Sequence, residues 1–182
     1  MLENGYHGEQ QERRRPTAVT VKDFIILVNV VCNRNTKSQG FLAGVFNKLE
    51  ENKMLVDLVT TSEGNVSLAM QSSDGTENQQ RRLKGDLEEF GKVSISENMS
   101  IVTVVGHKMR NMVGISSEIL SALASAKINI YLVSQGASEI NVSLVVRAED
   151  AILAMNVIHA KVLKIPTHWE QENNFIKGPW LY

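Results

Sequence analysis

VDLVTTSEGNVSLAM, from Val56 to Met70, returns as IYLVSQGASEINVSLVV, from Ile130 to Val146. A repeat of this length fixes the architecture before any propensity is consulted, because each copy must be one supersecondary unit. Its register extends upstream: Gly40 precedes Val56 by the same interval as Gly114 precedes Ile130, with a helix-like apolar pattern between them in both copies. A two-residue insertion in the second hairpin then shifts the shared strings, so that Ser62-Glu63 answers to Ser138-Glu139 and Asn65 to Leu68 answers to Asn141 to Leu144. The chain is expected to hold two related units, with function sought first at the hairpin tip.

At 182 residues, two units are each near the lower limit for an independent core, so they are expected to need each other. A formal net charge of -1 gives no electrostatic reason to expect nucleic acid or an anionic membrane as partner. The basic run Arg13 to Arg15 reads as a solvated linker. A single cysteine, Cys32, lies in an apolar strand pattern and can form no internal disulfide, which suits a reducing compartment. No apolar stretch approaches the ~18 residues of a membrane span, and the polar N-terminus lacks the apolar core of a signal peptide. A cytoplasmic protein is expected.

Residues 1–15 carry no period and read as a disordered lead-in. Ala18 to Val21 and Phe24 to Cys32 read as two strands separated by Lys22-Asp23. Ser38 is a suitable N-cap for a helix whose buried face carries Phe41, Leu42, Val45, Phe46 and Leu49. Strands at about 55–61 and 65–71, a helix with Leu83, Leu87 and Phe90, and a strand from Lys92 to Ser96 complete a βαββαβ unit. From Ile101 the order repeats through a helix with Ile115, Ile119, Leu120 and Leu123, strands at about 128–135 and 140–147, and a helix from Glu149 to Leu163.

That second unit is one strand short, and a sheet so left exposes an edge. Ala18 to Val21 is the obvious strand to close it. The fold expected is α+β, two tandem ferredoxin-like βαββαβ units with the first nested in the second. The first unit would take residues 24–98, the second 16–23 with 99–163, and an aromatic tail 164–182.

The strings RPTAVTVK (15–22), NTKSQGFLAGVF (35–46), VDLVTTSEGNVSLAM (56–70), INIYLVSQGASEINVSLVV (128–146) and AMNVIHAKVL (154–163) resemble the C-terminal regulatory region of aspartate kinases, of the fungal type. The resemblance covers roughly 15–163 and implies a tandem pair of ACT domains, which are ligand-binding modules. The family's kinase domain precedes this region, whereas only the short segment 1–14 precedes the resemblance here, without a Gly-rich or Lys-containing nucleotide motif. The chain is therefore expected to lack kinase activity of its own.

A free amino acid needs a partner for its carboxylate, one for its ammonium group, and a pocket for its side chain. The helix expected to open at Ser38 presents free backbone N–H groups around Gln39, Gly40 and Phe41, and glycine lets an anion approach that positive helix end. Asp57, beside Val56, can accept the ammonium group. The resemblance implies that Ser38, Gly40, Phe41, Leu42, Val56, Asp57, Ser62 and Glu63 form the inhibitor-binding positions of the first ACT domain. Without it, the same residues read as a cap, core side chains and a solvated carboxylate.

The second copy departs from this set, with Met112 where Ser38 stands and Tyr131 where Asp57 stands. The tail holds Trp169, Phe175, Trp180 and Tyr182, a density expected to pack on a surface or to lid a pocket. His107, Lys108 and Arg110 read as a solvated loop and His159 as helix packing. No Ser-His-Asp order, paired carboxylates or metal-ligand cluster stands out, so no cofactor, no metal and no catalytic residue is assigned.

The leading expectation is a stand-alone regulatory module binding an amino acid of the lysine or threonine class. Its expected partners are a second copy of itself, as a homodimer, and a full-length aspartate kinase. The competing expectation is an enzyme of specialised metabolism, a cyclase, isomerase or lyase built on the same pocket, because fold does not imply function.

Overall fold

Strands β1 (Ala18–Cys32) and β4 (Gly91–Val105) are 15 residues each and pair antiparallel along their whole length, so one long ribbon serves both units. The computed structural model describes residues 16–33, 40–72, 77–106, 109, 112–136 and 140–164. The expected lead-in 1–15, Ser38, the loop residues His107, Lys108 and Arg110, the pair Ser138 and Glu139, and the tail from 165 lie outside the described residues.

Beyond the ribbon the chain forms α1 (Phe41–Glu51), β2 (Leu58–Ser62), β3 (Asn65–Gln71), α2 (Glu77–Glu88), α3 (Ile115–Ser125), β5 (Leu132–Ser134), β6 (Asn141–Arg147) and α4 (Ala151–Ile158). The hydrogen-bonded order is β2-β3-β1-β4-β6-β5, antiparallel throughout. Residues 25–31 of β1 pair with β3, while Ala18 to Lys22 pair with Val105 to Ile101 of β4. The first βαββαβ unit is thus inserted in the second, and the N-terminal strand closes the sheet that was one strand short.

Two expected strand breaks are absent. Lys22-Asp23 was read as a separator, and 92–96 and 101–106 as different strands, yet β1 and β4 each run on without interruption. A bulge replaces each break: the register shifts between Lys22 and Ile25 and again between Ile25 and Leu27. Such a bulge bends the ribbon and increases its twist while the ladder continues. The two expected four-stranded sheets are consequently one sheet of six strands.

The helices cover one face of each half. In the first half Phe41, Val45 and Leu49 of α1 and Leu83 and Leu87 of α2 pack on Ile26, Val28, Val30, Val66, Leu68 and Met70. In the second half Ile115, Ile119 and Leu123 of α3 and Ala151, Ala154 and Ile158 of α4 pack on Val102, Val104, Val142, Leu144 and Val146. Burying one such leucine contributes about 1.5–3 kcal/mol. On the faces turned away from the helices, Ile25, Leu27 and Ala69 meet Met99, Ile101, Leu132 and Val145 in a third cluster, with Leu58 against it. Although β2 and β5 are the outer strands, they touch each other, so the sheet folds back on itself about the bulge.

The helix details differ from expectation in three places. The α1 N-cap is Gly40, two residues later than the Ser38 cap expected, and it makes no side-chain capping bond. Leu42 and Phe46 are 40% and 41% exposed, because only the Phe41, Val45, Leu49 row faces the sheet. The helix expected over Glu149 to Leu163 is a 3₁₀ turn at Ala148–Asp150, then α4, then a π-helical turn at His159–Leu163.

Candidate functional site

Gly40 adopts φ 92, a left-handed backbone that costs glycine nothing, and this turn lets the chain enter α1 directly. Among the described residues no side chain caps α1, so its first N–H groups are open to another acceptor. Among the described residues nothing lies within 4 Å of where a Gly40 Cβ would stand, so an anion has room to approach. Gly114 repeats the arrangement at α3, with φ 88.

The β2–β3 hairpin lies at the Cys32 end of β1, where Cys32 N–H donates to Gly64 O at 2.7 Å and Val31 pairs with Asn65. The chain leaves that end to enter α1, and α1 runs back toward Asp57, whose N–H donates to Ala69 O at 2.9 Å. Ser62 and Glu63 are exposed at the hairpin, and Gly64 turns the chain with φ 72. Asn65 adds a residue outside the eight predicted positions. Its Oδ1 is buried with no hydrogen-bond partner among the described residues, and so is that of Asn141, its counterpart in the second unit. A buried acceptor left unpaired costs about 1–3 kcal/mol.

The eight predicted positions therefore divide. Gly40, Phe41 and Leu42 at the start of α1 lie at the same end of the sheet as Ser62 and Glu63. Phe41 is buried in the first core and Val56 packs against that same core. Asp57 stands at the opposite end of β2 from Ser62, which is about 17 Å of strand. One free amino acid cannot span that distance within one chain. Ser38 lies outside the described residues.

Asp57 is instead engaged by the chain itself. Lys22 Nζ donates to both carboxylate oxygens, at 2.6 Å to Oδ1 and 2.9 Å to Oδ2. No spacing rule links residues 35 positions apart, so this pair was not readable from the sequence.

Tyr131 occupies the place of Asp57 in the second unit: its N–H donates to Val145 O at 2.8 Å, as that of Asp57 does to Ala69 O. Its hydroxyl accepts a hydrogen bond from Arg147 Nε at 2.9 Å, and Arg147 also lies 3.5 Å from Glu149. The Arg147 hydrogen bond holds the phenol below the usual tyrosine range. The two units thus place different chemistry at one topological position, a carboxylate in the first and a phenol in the second.

A cleft of about 1120 Å³ opens at the bulge, lined by Phe24, Arg81, Lys84, Glu97 and Ile152 among others, and it contains none of the predicted positions. Among the described residues no group of His, Cys, Asp and Glu is placed to hold a metal ion, and no helix is long and apolar enough to cross a membrane.

Comparison with known proteins agrees with this fold. The ACT domain family matches residues 102–162, the second unit. The aspartokinase of Candida albicans is 43% identical over 154 residues, which cover 85% of this chain and 28% of that protein, so the chain spans under a third of that relative. The C-terminal regulatory domain of aspartate kinase from Porphyromonas gingivalis superposes with a TM-score of 0.68 at 31% identity, covering 80% of this chain and 96% of that one. E. coli aspartokinase III, solved with lysine and aspartate in its T-state, gives a TM-score of 0.69 at 26% identity over 85% of this chain and 34% of that one. With its nested double βαββαβ sheet and its match to nearly the whole of a solved regulatory domain, the chain belongs to the family of tandem ACT regulatory regions of aspartate kinases.

Proposed function

We propose that the chain senses a small amino acid of the lysine or threonine class, bound where two copies meet along β2. The observation that carries this reading is the division of the site: a helix end with no side-chain cap among the described residues lies at one end of an edge strand and a carboxylate at the other. Among the described residues β2 pairs with β3 on one side only, and its other edge carries backbone groups outside the ladder. Antiparallel pairing of that edge with a second copy brings the Asp57 of one copy beside the Ser62 and Glu63 end of the other.

In that arrangement the N–H groups of Phe41 and Leu42 bind the ligand carboxylate. Asp57 from the second copy binds its ammonium group. Ser62, Glu63 and the unpaired Asn65 Oδ1 supply polar contacts, and Val56 an apolar wall. Covering Leu42, Phe46 and Leu55, which are exposed in the single chain, adds apolar burial to the pairing. The lysine-bound E. coli aspartokinase III supports the ligand class.

Calorimetry against the twenty amino acids tests the reading, with sedimentation to follow assembly. Lysine or threonine is expected to bind a dimer, and Asp57→Ala to weaken binding by about 1.5–3 kcal/mol, the scale of one hydrogen bond to a charged group. Failure of all twenty to bind would overturn it.

A further inference from the structure

We infer that Lys22 is a built-in competitor for the ammonium subsite, an affinity-setting residue that a ligand must displace from Asp57. The inference rests on the reading above that Asp57 receives the ligand's ammonium group. In the free chain that subsite is already filled: Lys22 Nζ bridges both carboxylate oxygens at 2.6 and 2.9 Å, the geometry an incoming organic ammonium would adopt. Displacement exchanges one ammonium for another on the same carboxylate, so the charge count at Asp57 is unchanged. The exchange is inexpensive because the Lys22 and Asp57 side chains are 44% and 30% exposed, and a released Lys22 regains water.

The placement of Lys22 gives the exchange a direction. It pairs with Ile101 in the part of β1 that belongs to the second unit, immediately before the register shift, whereas Asp57 leads into β2 of the first unit. The ion pair therefore ties the two units across the bulge, and a bound ligand unties them. The second unit has no equivalent lock among the described residues: Ser96 is the repeat counterpart of Lys22, and Tyr131 stands at the place of Asp57. A ligand without an ammonium group has no means of displacing Lys22.

The test is calorimetric titration of lysine and threonine into the full chain and into Lys22→Met, Lys22→Arg and Asp57→Asn. Lys22→Met is expected to bind about two- to five-fold more tightly, the worth of an exposed ion pair. Lys22→Arg, which retains the pair, is expected to stay near wild type and controls for folding. In ¹⁵N-lysine spectra the Lys22 ammonium signal is expected to shift when ligand saturates the wild-type chain, and not in Asp57→Asn. Tighter binding by Lys22→Met than by the wild-type chain supports the inference. Unchanged or weaker binding by folded Lys22→Met, with Asp57→Asn still defective, overturns the inference and leaves amino-acid sensing standing. Absence of binding in wild type and Lys22→Met alike overturns both.

Discussion

Phe24 and Asn98 are counterparts in the repeat and share one left-handed backbone state, φ 59 and φ 56, at matching points of the two bulges. The same correspondence relates Lys53 (φ 54) to Lys127 (φ 59), and Gly40 to Gly114. The repeat is thus preserved in its unusual backbone positions as well as in its hairpins. Asparagine tolerates this state, while an aromatic residue does so only under constraint from its surroundings.

Phe24 is 73% exposed, so removing its ring forfeits little burial. Phe24→Gly is therefore expected to stabilise the chain by about 1 kcal/mol, the cost of a left-handed non-glycine residue. Asn98→Ala is expected to destabilise by a similar amount. Urea denaturation of both variants checks the pair, and loss of stability in Phe24→Gly would show that the ring holds the bulge.

Two glycines make a second contrast. Gly85 lies within α2 with nothing among the described residues within 4 Å of a prospective Cβ, so Gly85→Ala is expected to add about 0.8–1 kcal/mol of helix stability. At Gly91 a Cβ would overlap the carbonyl oxygen of Val31 in the paired strand, a backbone atom with no freedom to yield. Gly91→Ala is expected to cost at least about 1–3 kcal/mol, measured by the same denaturation.

Leu68 and Leu144 are fully buried counterparts in the two helix-covered cores. Each Leu→Ala substitution is expected to cost about 2–5 kcal/mol. Because β1 and β4 run through both halves, each variant is expected to unfold in one transition. Hydrogen exchange resolved by residue checks this, and independent loss of protection in one half would contradict it.

The Tyr131 phenol is expected to titrate below a free tyrosine, and Arg147→Gln to raise it, read as the absorbance difference at alkaline pH between the chain and Tyr131→Phe. The folded pKa lies below the unfolded one. The extra stabilisation that comes with ionising the phenol is therefore complete above the unfolded pKa of ~10 and is lost as pH falls through the folded value, leaving at neutral pH only the hydrogen bond to the neutral phenol. An Arg147→Gln curve identical to wild type would remove the hydrogen bond from the account.

Much of the fold was legible because a repeat and a period are local signals. The strands at 65–71 and 140–147 were readable from the repeat, and the strand-short second unit pointed to Ala18–Val21 as its missing strand. Leu42 and Phe46 were misassigned to the buried face of α1, since helical spacing identifies an apolar stripe without saying how wide a face the sheet covers. The N-cap position falls on Gly40, two residues beyond Ser38, because the turn into α1 takes a left-handed backbone that glycine adopts freely. Ligand-binding positions were named together from resemblance, yet β2 separates Asp57 from the helix end, a distance visible only once the strand direction is known.

The sequence by itself determined the two units, their order and their nesting, because the repeat and the one strand left over can be read along the chain. Only the tertiary structure decided that β1 and β4 are continuous, that the sheet folds back on itself, and that Lys22 holds Asp57. The physical reason is shared by all three. A strand's continuity depends on the partner that bridges its break, and an ion pair depends on where two side chains arrive after the ribbon bends, and neither partner is a neighbour in the chain.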